Sequence, residues 1–105
     1  MTAHDALALA TIGGARAIGK GDRIGSIEVG KQADVVVHDT RGPQFTPRST
    51  DPVRQLVWAS DGRSVQHVWV AGRPVVRDGR CTTVDLDGLR DEARQRQERL
   101  LGAHG

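Results

Sequence analysis

The sequence of 105 residues contains few aromatic side chains and little cysteine. Phe45, Trp58 and Trp69 are its only aromatic residues, so a core has to be built from aliphatic side chains. Cys81 is the only cysteine, which excludes a disulfide within the chain and is typical of a reducing compartment. No apolar run approaches the roughly 20 residues that cross a bilayer, and the first residues lack a secretory pattern. We therefore expect a cytoplasmic protein without a membrane partner.

An excess of charge of one sign is also missing. The pI is about 9.3, but 15 Lys and Arg residues oppose 13 Asp and Glu residues, for a formal net charge of +2. The arginines alternate with acidic residues along the chain instead of forming one basic face. Because nucleic-acid binding requires such a face to contact phosphates, the sequence predicts no nucleic-acid partner.

Recognisable catalytic patterns are absent as well. The four histidines (His4, His38, His67 and His104) are not spaced as a His-x-His or His-x-x-x-His pair, and no set of Cys or carboxylates accompanies them as in a zinc site. Cys81 has no evident base, and no Gly-x-Ser-x-Gly or phosphate-binding loop occurs. We predict no catalytic residue, no metal ligand and no cofactor within this chain.

The first segment predicts a helix over about residues 3–18. Thr2 and Asp5 have the spacing of a capping box, in which a hydroxyl and a carboxylate accept hydrogen bonds from free backbone amides. Gly13 and Gly14 lie inside this helix, at a cost of roughly 1 kcal/mol each relative to alanine. We expect a compensating close approach of another backbone to this helix.

The middle of the chain predicts turns followed by a strand. Residues 22–31 form glycine-hinged turns, and residues 33–38 predict a strand. Its three consecutive valines, at positions 35–37, indicate burial on both faces. Asp34 precedes these valines, and we interpret it as a structural carboxylate that accepts hydrogen bonds from the preceding turn.

The remaining elements follow from local signals. A proline-containing surface loop covers residues 40–52, and Pro52 opens a short helix that ends near residue 59. Residues 66–77 have the pattern of a hairpin around Ala71-Gly72-Arg73. Residues 85–101 predict a charged helix with a narrow apolar stripe, whose other faces are solvated. The stripe consists of Leu86, Leu89, Ala93 and Leu100.

These elements do not add up to a complete fold. A strand with two buried faces needs a neighbour at each edge and cover on each side, whereas the hairpin supplies only one neighbour. The glycine-containing helix also requires a further sheet. We infer that partners are missing, and that they belong either to another subunit or to a longer gene product.

Three segments resemble amidohydrolase-superfamily enzymes. Residues 10–19 (ATIGGARAIG) are similar to the last barrel helix of that family, residues 22–37 resemble its return into a small β domain, and residues 68–79 are similar to its closing hairpin. The final helix resembles the branch of cytosine and guanine deaminases, adenosine-type deaminases and triazine hydrolases. The motif positions that carry the match are structural: Gly13, Gly14, Arg16, Gly25, Gly30, Lys31, Asp34 and Gly72.

The resemblance implies a fold. Such enzymes are (β/α)8 barrels with a small β-sandwich built from both chain ends. This chain would then be an α+β fragment, with the last barrel helix in residues 1–20, the C-terminal part of the composite β-sandwich in residues 21–84, and a terminal helix in residues 85–105. The family's zinc or other divalent ion activates water, but its ligands all lie upstream of the matched stretch, so none has a counterpart here.

Two functions remain open at this point. The resemblance implies the C-terminal structural portion of a metal-dependent amidohydrolase that hydrolyses C–N bonds of a nitrogen heterocycle, not competent alone. Its partner would be the catalytic barrel of the same polypeptide. The alternative is a free-standing small protein that lacks enzymatic activity and dimerises or binds another polypeptide through its exposed strand edge.

Overall fold

The computed structural model describes residues 1–104, and the side chains of residues 1–102. It is an α+β arrangement that contains helices and one four-stranded antiparallel sheet with the order β1-β2-β3-β4. The strands are β1 (Val35–His38), β2 (Val65–Val70), β3 (Arg73–Arg77) and β4 (Arg80–Cys81). The helices are α1 (Ala3–Ala8), α2 (Gly14–Ala17), α3 (Pro52–Ala59) and α4 (Leu86–His104).

The first helix is confirmed, and it contains a feature that its sequence pattern did not predict. Thr2 and Asp5 form both hydrogen bonds of the capping box. Between α1 and α2 the backbone passes through a π-helical turn at Leu9–Gly13. A Cβ atom added to Gly13 or Gly14 would lie 3.0 Å from a carbonyl oxygen five residues earlier. The two glycines therefore accommodate the wide turn, which a side chain would crowd.

Another backbone approaches this helix closely, but at Ile12 and Ala15 and not at the two glycines, which contact only their own helix. Gly25 adopts a φ of +96°, and a Cβ added to it would lie 2.8 Å from the Cβ of Ala15 and 2.9 Å from the Cα of Ile12. Ala15 is one of the few buried residues, with 5% of its surface exposed. The glycine-hinged turns thus pack directly on the first helix, and small residues on both sides make that contact possible.

The strand β1 lies at one edge of the sheet and pairs with β2 in the described part of the chain. The expectation that its valines are buried on both faces is wrong for this chain by itself, because Val36 is 50% exposed and Val37 38% exposed. An edge strand leaves a row of backbone N–H and C=O groups open to a further strand. Three consecutive valines are typical of a strand covered on both faces, and the described residues of this chain do not provide that cover.

The hairpin is confirmed, with a two-residue turn. Ala71 and Gly72 have φ values of 50° and 78°, the conformation of a turn that matches the twist of the paired strands. Asp78 and Gly79 repeat it, with φ values of 51° and 75°. The second turn leads into β4, so the Asp-Gly pair reverses the chain into another strand, which the sequence analysis did not predict.

The helix α3 has the bounds expected from Pro52. The Asp51 side chain accepts hydrogen bonds from the amides of Val53 and Arg54 and so caps its first turn. This helix packs against α1 and against the short 3-10 helix Pro43–Phe45 of the preceding loop. Phe45 is 2% exposed, which makes the loop part of the core.

The terminal helix α4 projects away from this assembly. The side chains of residues 86–102 are all exposed, and α4 has no extensive contact with any other described element. The Asp85 carboxylate accepts a hydrogen bond from the amide of Gly88 at its start. Among the described residues, no helix is long and apolar enough to cross a membrane.

The chain exposes more surface than its mass predicts. Its accessible surface is 8294 Å², whereas a compact protein of 11.3 kDa exposes about 5,700 Å². Its radius of gyration is 18.4 Å, against about 13 Å for a compact domain of this length. Among residues 1–102, only Ala3, Ala15 and Phe45 are buried apolar residues. Roughly 2,600 Å² of surface is thus in excess of what a self-contained fold of this size exposes.

We expect the purified 105-residue chain to self-associate and to unfold over a broad temperature range, because its exposed apolar residues and its open β1 edge have no cover. Light scattering measures the mass, and far-UV circular dichroism follows the thermal transition. A monomer with one sharp transition contradicts this prediction.

Candidate functional site

An open groove lies along the first helix and the turns that pack on it. It has a volume of about 1110 Å³ and is lined by α1, the π-helical turn, α2 and residues 19–31. Four of the eight motif positions line it: Arg16, Gly25, Gly30 and Lys31. Gly13 and Gly14 lie in the helix beside it, whereas Asp34 and Gly72 lie at the β1 end and the hairpin turn. The motif positions therefore form two groups.

A network of hydrogen bonds fixes the turn in the first group. The Lys31 ammonium lies 2.6 Å from the Ser26 hydroxyl oxygen and 2.9 Å from a carboxylate oxygen of Glu28. Ser26 also donates to Glu28. The Lys31 side chain is only 12% exposed, so its charge is neutralised within the turn. Ser26 and Glu28, which the sequence analysis did not single out, are the partners that hold it.

The same contacts determine the charge of Glu28. The hydroxyl of Ser26, followed by the hydrogen bond and charge of Lys31, lowers the pKa of the Glu28 carboxyl. Arg16 contributes a smaller effect in the same direction. A carboxylate held ionised in this way acts as an ion-pair partner and is poorly suited to exchange protons near neutral pH. Glu28 therefore has the character of a structural ion-pair partner in this turn.

Asp34 connects β1 to the hairpin in the second group. Its Oδ1 atom accepts a hydrogen bond of 2.7 Å from the amide of Ala71, and the amide of Gly72 donates to the carbonyl of Ala33 at 3.0 Å. The expected donor was the preceding turn, but the observed donor lies 37 residues further along the chain. The carboxylate thus holds the hairpin turn, with its positive φ values, against the start of β1.

Asp34→Ala is expected to lower the free energy of unfolding by about 1–2 kcal/mol, because it removes a charge-assisted hydrogen bond to a backbone amide. Asp34→Asn keeps an acceptor oxygen and is the matched control, for which we expect a smaller loss. Urea unfolding of both variants measures the difference. Equal losses for Ala and Asn would show that the hydrogen bond contributes little.

The histidines do not converge on one point. Three of them contact separate partners in different parts of the fold: His4 with Asp51 at 3.3 Å, His38 with Ser64 at 2.8 Å, and His67 with Asp78 at 3.7 Å. Within residues 1–102 no group of three or more His, Cys, Asp or Glu side chains could hold a metal ion. The side chain of His104 lies outside the described residues.

Cys81 lies in β4 and is half-buried. Its sulfur lies 3.3 Å from the hydroxyl oxygen of Thr83, and that hydroxyl lowers the pKa of the thiol. A nucleophilic cysteine usually has a histidine or another cationic group beside it. The hydroxyl of Thr83 is not such a group.

Residues 1–75 match the Amidohydrolase family. The chain belongs to this family. A 5-methylthioadenosine/S-adenosylhomocysteine deaminase of Teredinibacter turnerae is 44% identical over 93% of the chain, and an S-triazine hydrolase of Gordonia rubripertincta is 37% identical over the whole chain. The zinc-bound adenosine deaminase of Xanthomonas campestris superposes on 96% of the chain with a TM-score of 0.83 and 42% identity.

The chain of this amidohydrolase-family protein corresponds to a small part of those relatives. It spans 22% of the Teredinibacter deaminase, 23% of the Gordonia hydrolase and 23% of the Xanthomonas structure. The resemblance inferred from the three sequence segments is thereby confirmed, including the branch of deaminases and triazine hydrolases.

Proposed function

We propose that this chain is the C-terminal supporting part of a larger metal-dependent amidohydrolase that hydrolyses a C–N bond of a nitrogen heterocycle, with adenosine-type purine nucleosides as the favoured substrates. The observation that carries the proposal is that 93% of the chain is 44% identical to a deaminase of which it spans only 22%. The zinc-bound adenosine deaminase, similar over 96% of the chain, supports the same substrate class.

The exposed surfaces of the chain support the proposal that it packs against a barrel in a longer protein. Within the described residues β1 pairs along one edge only, and the loop beside the groove exposes 86% of Ile27 and all of Val29. We infer that these apolar side chains contact another protein surface in the longer protein. We assign residues 1–20 to the last barrel helix, residues 21–84 to a composite β-sandwich that includes strands from the start of the longer polypeptide, and residues 85–105 to a terminal helix and tail.

The metal of the parent enzyme would be held by other residues. Zinc requires at least three convergent nitrogen, sulfur or oxygen ligands in a hydrolytic site, and the separate histidine contacts within residues 1–102 do not fit that requirement. In this proposal the chain stabilises the structure of the barrel instead of binding its metal. The Ser26–Glu28–Lys31 network and the packing of Gly25 on Ala15 fix the connection between barrel helix and sheet.

A chimeric enzyme tests this proposal. The C-terminal segment of the Teredinibacter deaminase that matches this chain is replaced with the chain, and deamination of 5′-methylthioadenosine is measured in the presence of zinc. We expect the chimera to be active, and both the truncated relative and the isolated chain to be inactive. A chimera that folds and binds zinc but does not turn over would contradict the proposal, as would zinc-dependent turnover by the isolated chain.

The free edge of β1 also favours the second candidate, a free-standing interaction protein. The genomic sequence upstream of Met1 separates the two functions. A continuous reading frame that encodes a His-x-His motif supports the amidohydrolase, whereas a stop codon directly upstream supports the interaction protein.

A further inference from the structure

The exposed face of α4 has the pattern of a helix that pairs with another helix. Leu86, Leu89, Ala93 and Leu100 follow the alternating three- and four-residue spacing of a coiled-coil seam, with Arg96 at the remaining position. The leucines at 86, 89 and 100 are 38%, 52% and 64% exposed. Because α4 has no extensive contact with any other described element, most of this seam is uncovered within the described part of the chain.

The charges of α4 are divided between its two halves. Residues 85–92 contain four carboxylates and one arginine, whereas residues 93–102 contain three arginines and one glutamate. The halves thus have net charges of −3 and +2 (1 − 4 and 3 − 1). A helix with this distribution attracts a second copy that runs in the opposite direction, and it repels a second copy that runs in the same direction.

We propose that α4 is a dimerisation helix, which pairs antiparallel with α4 of a second copy of this chain. In the symmetric register centred between residues 94 and 95, Leu89 faces Leu100 of the second copy. Ala93 faces Arg96 of the second copy, so a small residue leaves room for the long one. Glu92 and Arg99 flank the seam. Glu92 of each copy lies beside Arg99 of the other copy, so the dimer contains two pairs of opposite charges.

Contacts within α4 agree with this arrangement. Arg96 bonds to Glu92 one turn earlier, with 2.5 Å between the nitrogen and oxygen atoms, so the charge of the arginine in the seam is partly compensated. A parallel pair would instead place Arg96 beside Arg96 of the second copy, and the acidic halves side by side. This contact is separate from the β1 edge.

Disulfide cross-linking tests the register in the full 105-residue chain. In a Cys81→Ser background, Leu89→Cys and Leu100→Cys are prepared as separate proteins. We expect a cross-linked dimer when the two are mixed and oxidised, and little from either alone, because position 89 lies about 16 Å along the axis from position 89 of the second copy. A disulfide needs Cα atoms within about 7 Å. Cross-linking of Leu89→Cys alone, or equal cross-linking of Gln95→Cys outside the seam, would overturn the proposal.

Charge reversal provides a second measurement. Glu92→Arg or Arg99→Glu is expected to weaken the dimer roughly tenfold, because each replaces two attractive contacts with repulsive ones. The double variant E92R/R99E restores the attraction and is expected to recover most of the affinity, as measured by sedimentation equilibrium. Circular dichroism verifies that α4 remains helical in each variant. A double variant no tighter than the single ones would contradict the paired arrangement.

Discussion

Gly25→Ala is expected to destabilise the fold by about 3 kcal/mol or more. The new Cβ would lie 2.8 Å from the Cβ of Ala15, 2.9 Å from the Cα of Ile12 and 3.1 Å from the carbonyl oxygen of Thr11. Two of these atoms are backbone atoms of a helix, which cannot move aside, and overpacking of this kind costs roughly 1–3 kcal/mol. The φ of +96° adds about 1–2 kcal/mol for any residue with a Cβ.

Gly30→Ala is the matched control for this substitution. Gly30 has a similar φ of +90°, but nothing lies within 4 Å of the position where its Cβ would be. We expect a loss of about 1–2 kcal/mol from conformation alone. Far-UV circular dichroism in urea compares the two, and for Gly25→Ala we expect no folded baseline in a chain with so small a core. Equal effects of both substitutions would show that the contact with the helix contributes nothing.

The elements that could be predicted from the sequence are those with local causes. The Thr2 capping box, the helix that begins at Pro52 and the Ala71-Gly72 turn each depend on a few neighbouring residues, whose side-chain hydrogen bonds and φ preferences act over one turn of chain. Their positions in the structure agree with the sequence patterns for that reason.

The contacts that could not be predicted have two causes. Some join residues far apart in the chain, and others occur where a short segment is compatible with more than one local structure. The donor to Asp34 lies in a hairpin turn 37 residues away, which no local pattern specifies. Asp78-Gly79 is compatible with a strand end and with a reversal into another strand, and pairing with β3 selects the reversal. The π-helical turn depends on Gly13 and Gly14, whose small size permits it without requiring it.

The valines of β1 show a different limit of prediction. Their uninterrupted run indicates a strand covered on both faces, and the strand itself is present, but Val36 is 50% exposed and Val37 38% exposed. Selection acts on side chains in their native environment, and that environment includes any partner that packs on them. Exposure at these positions therefore gives information about the partner, and it agrees with the proposed amidohydrolase parent.

A large effect is also expected at Phe45, the most buried apolar residue among residues 1–102. Its loop is fixed to α3 by Gln55, which donates to the carbonyl of Pro47 at 2.8 Å and accepts from the amide of Ser49 at 3.0 Å. Phe45→Ala leaves a cavity beside α3 and is expected to cost about 3–4 kcal/mol, whereas Phe45→Leu, the matched control, is expected to cost less than about 1.5 kcal/mol.

In the chimeric deaminase, this loss distinguishes a supporting role from a catalytic one. Phe45 belongs to a core that positions α3, and α3 in turn packs against α1 of the proposed barrel helix. Phe45→Ala should therefore reduce the amount of folded, active enzyme and its thermal midpoint, while the KM for 5′-methylthioadenosine stays unchanged in the fraction that folds. Active-site titration together with initial rates measures both quantities. A raised KM at an unchanged thermal midpoint would contradict a purely supporting role for this part of the chain, because it would show an effect on substrate binding without a loss of stability.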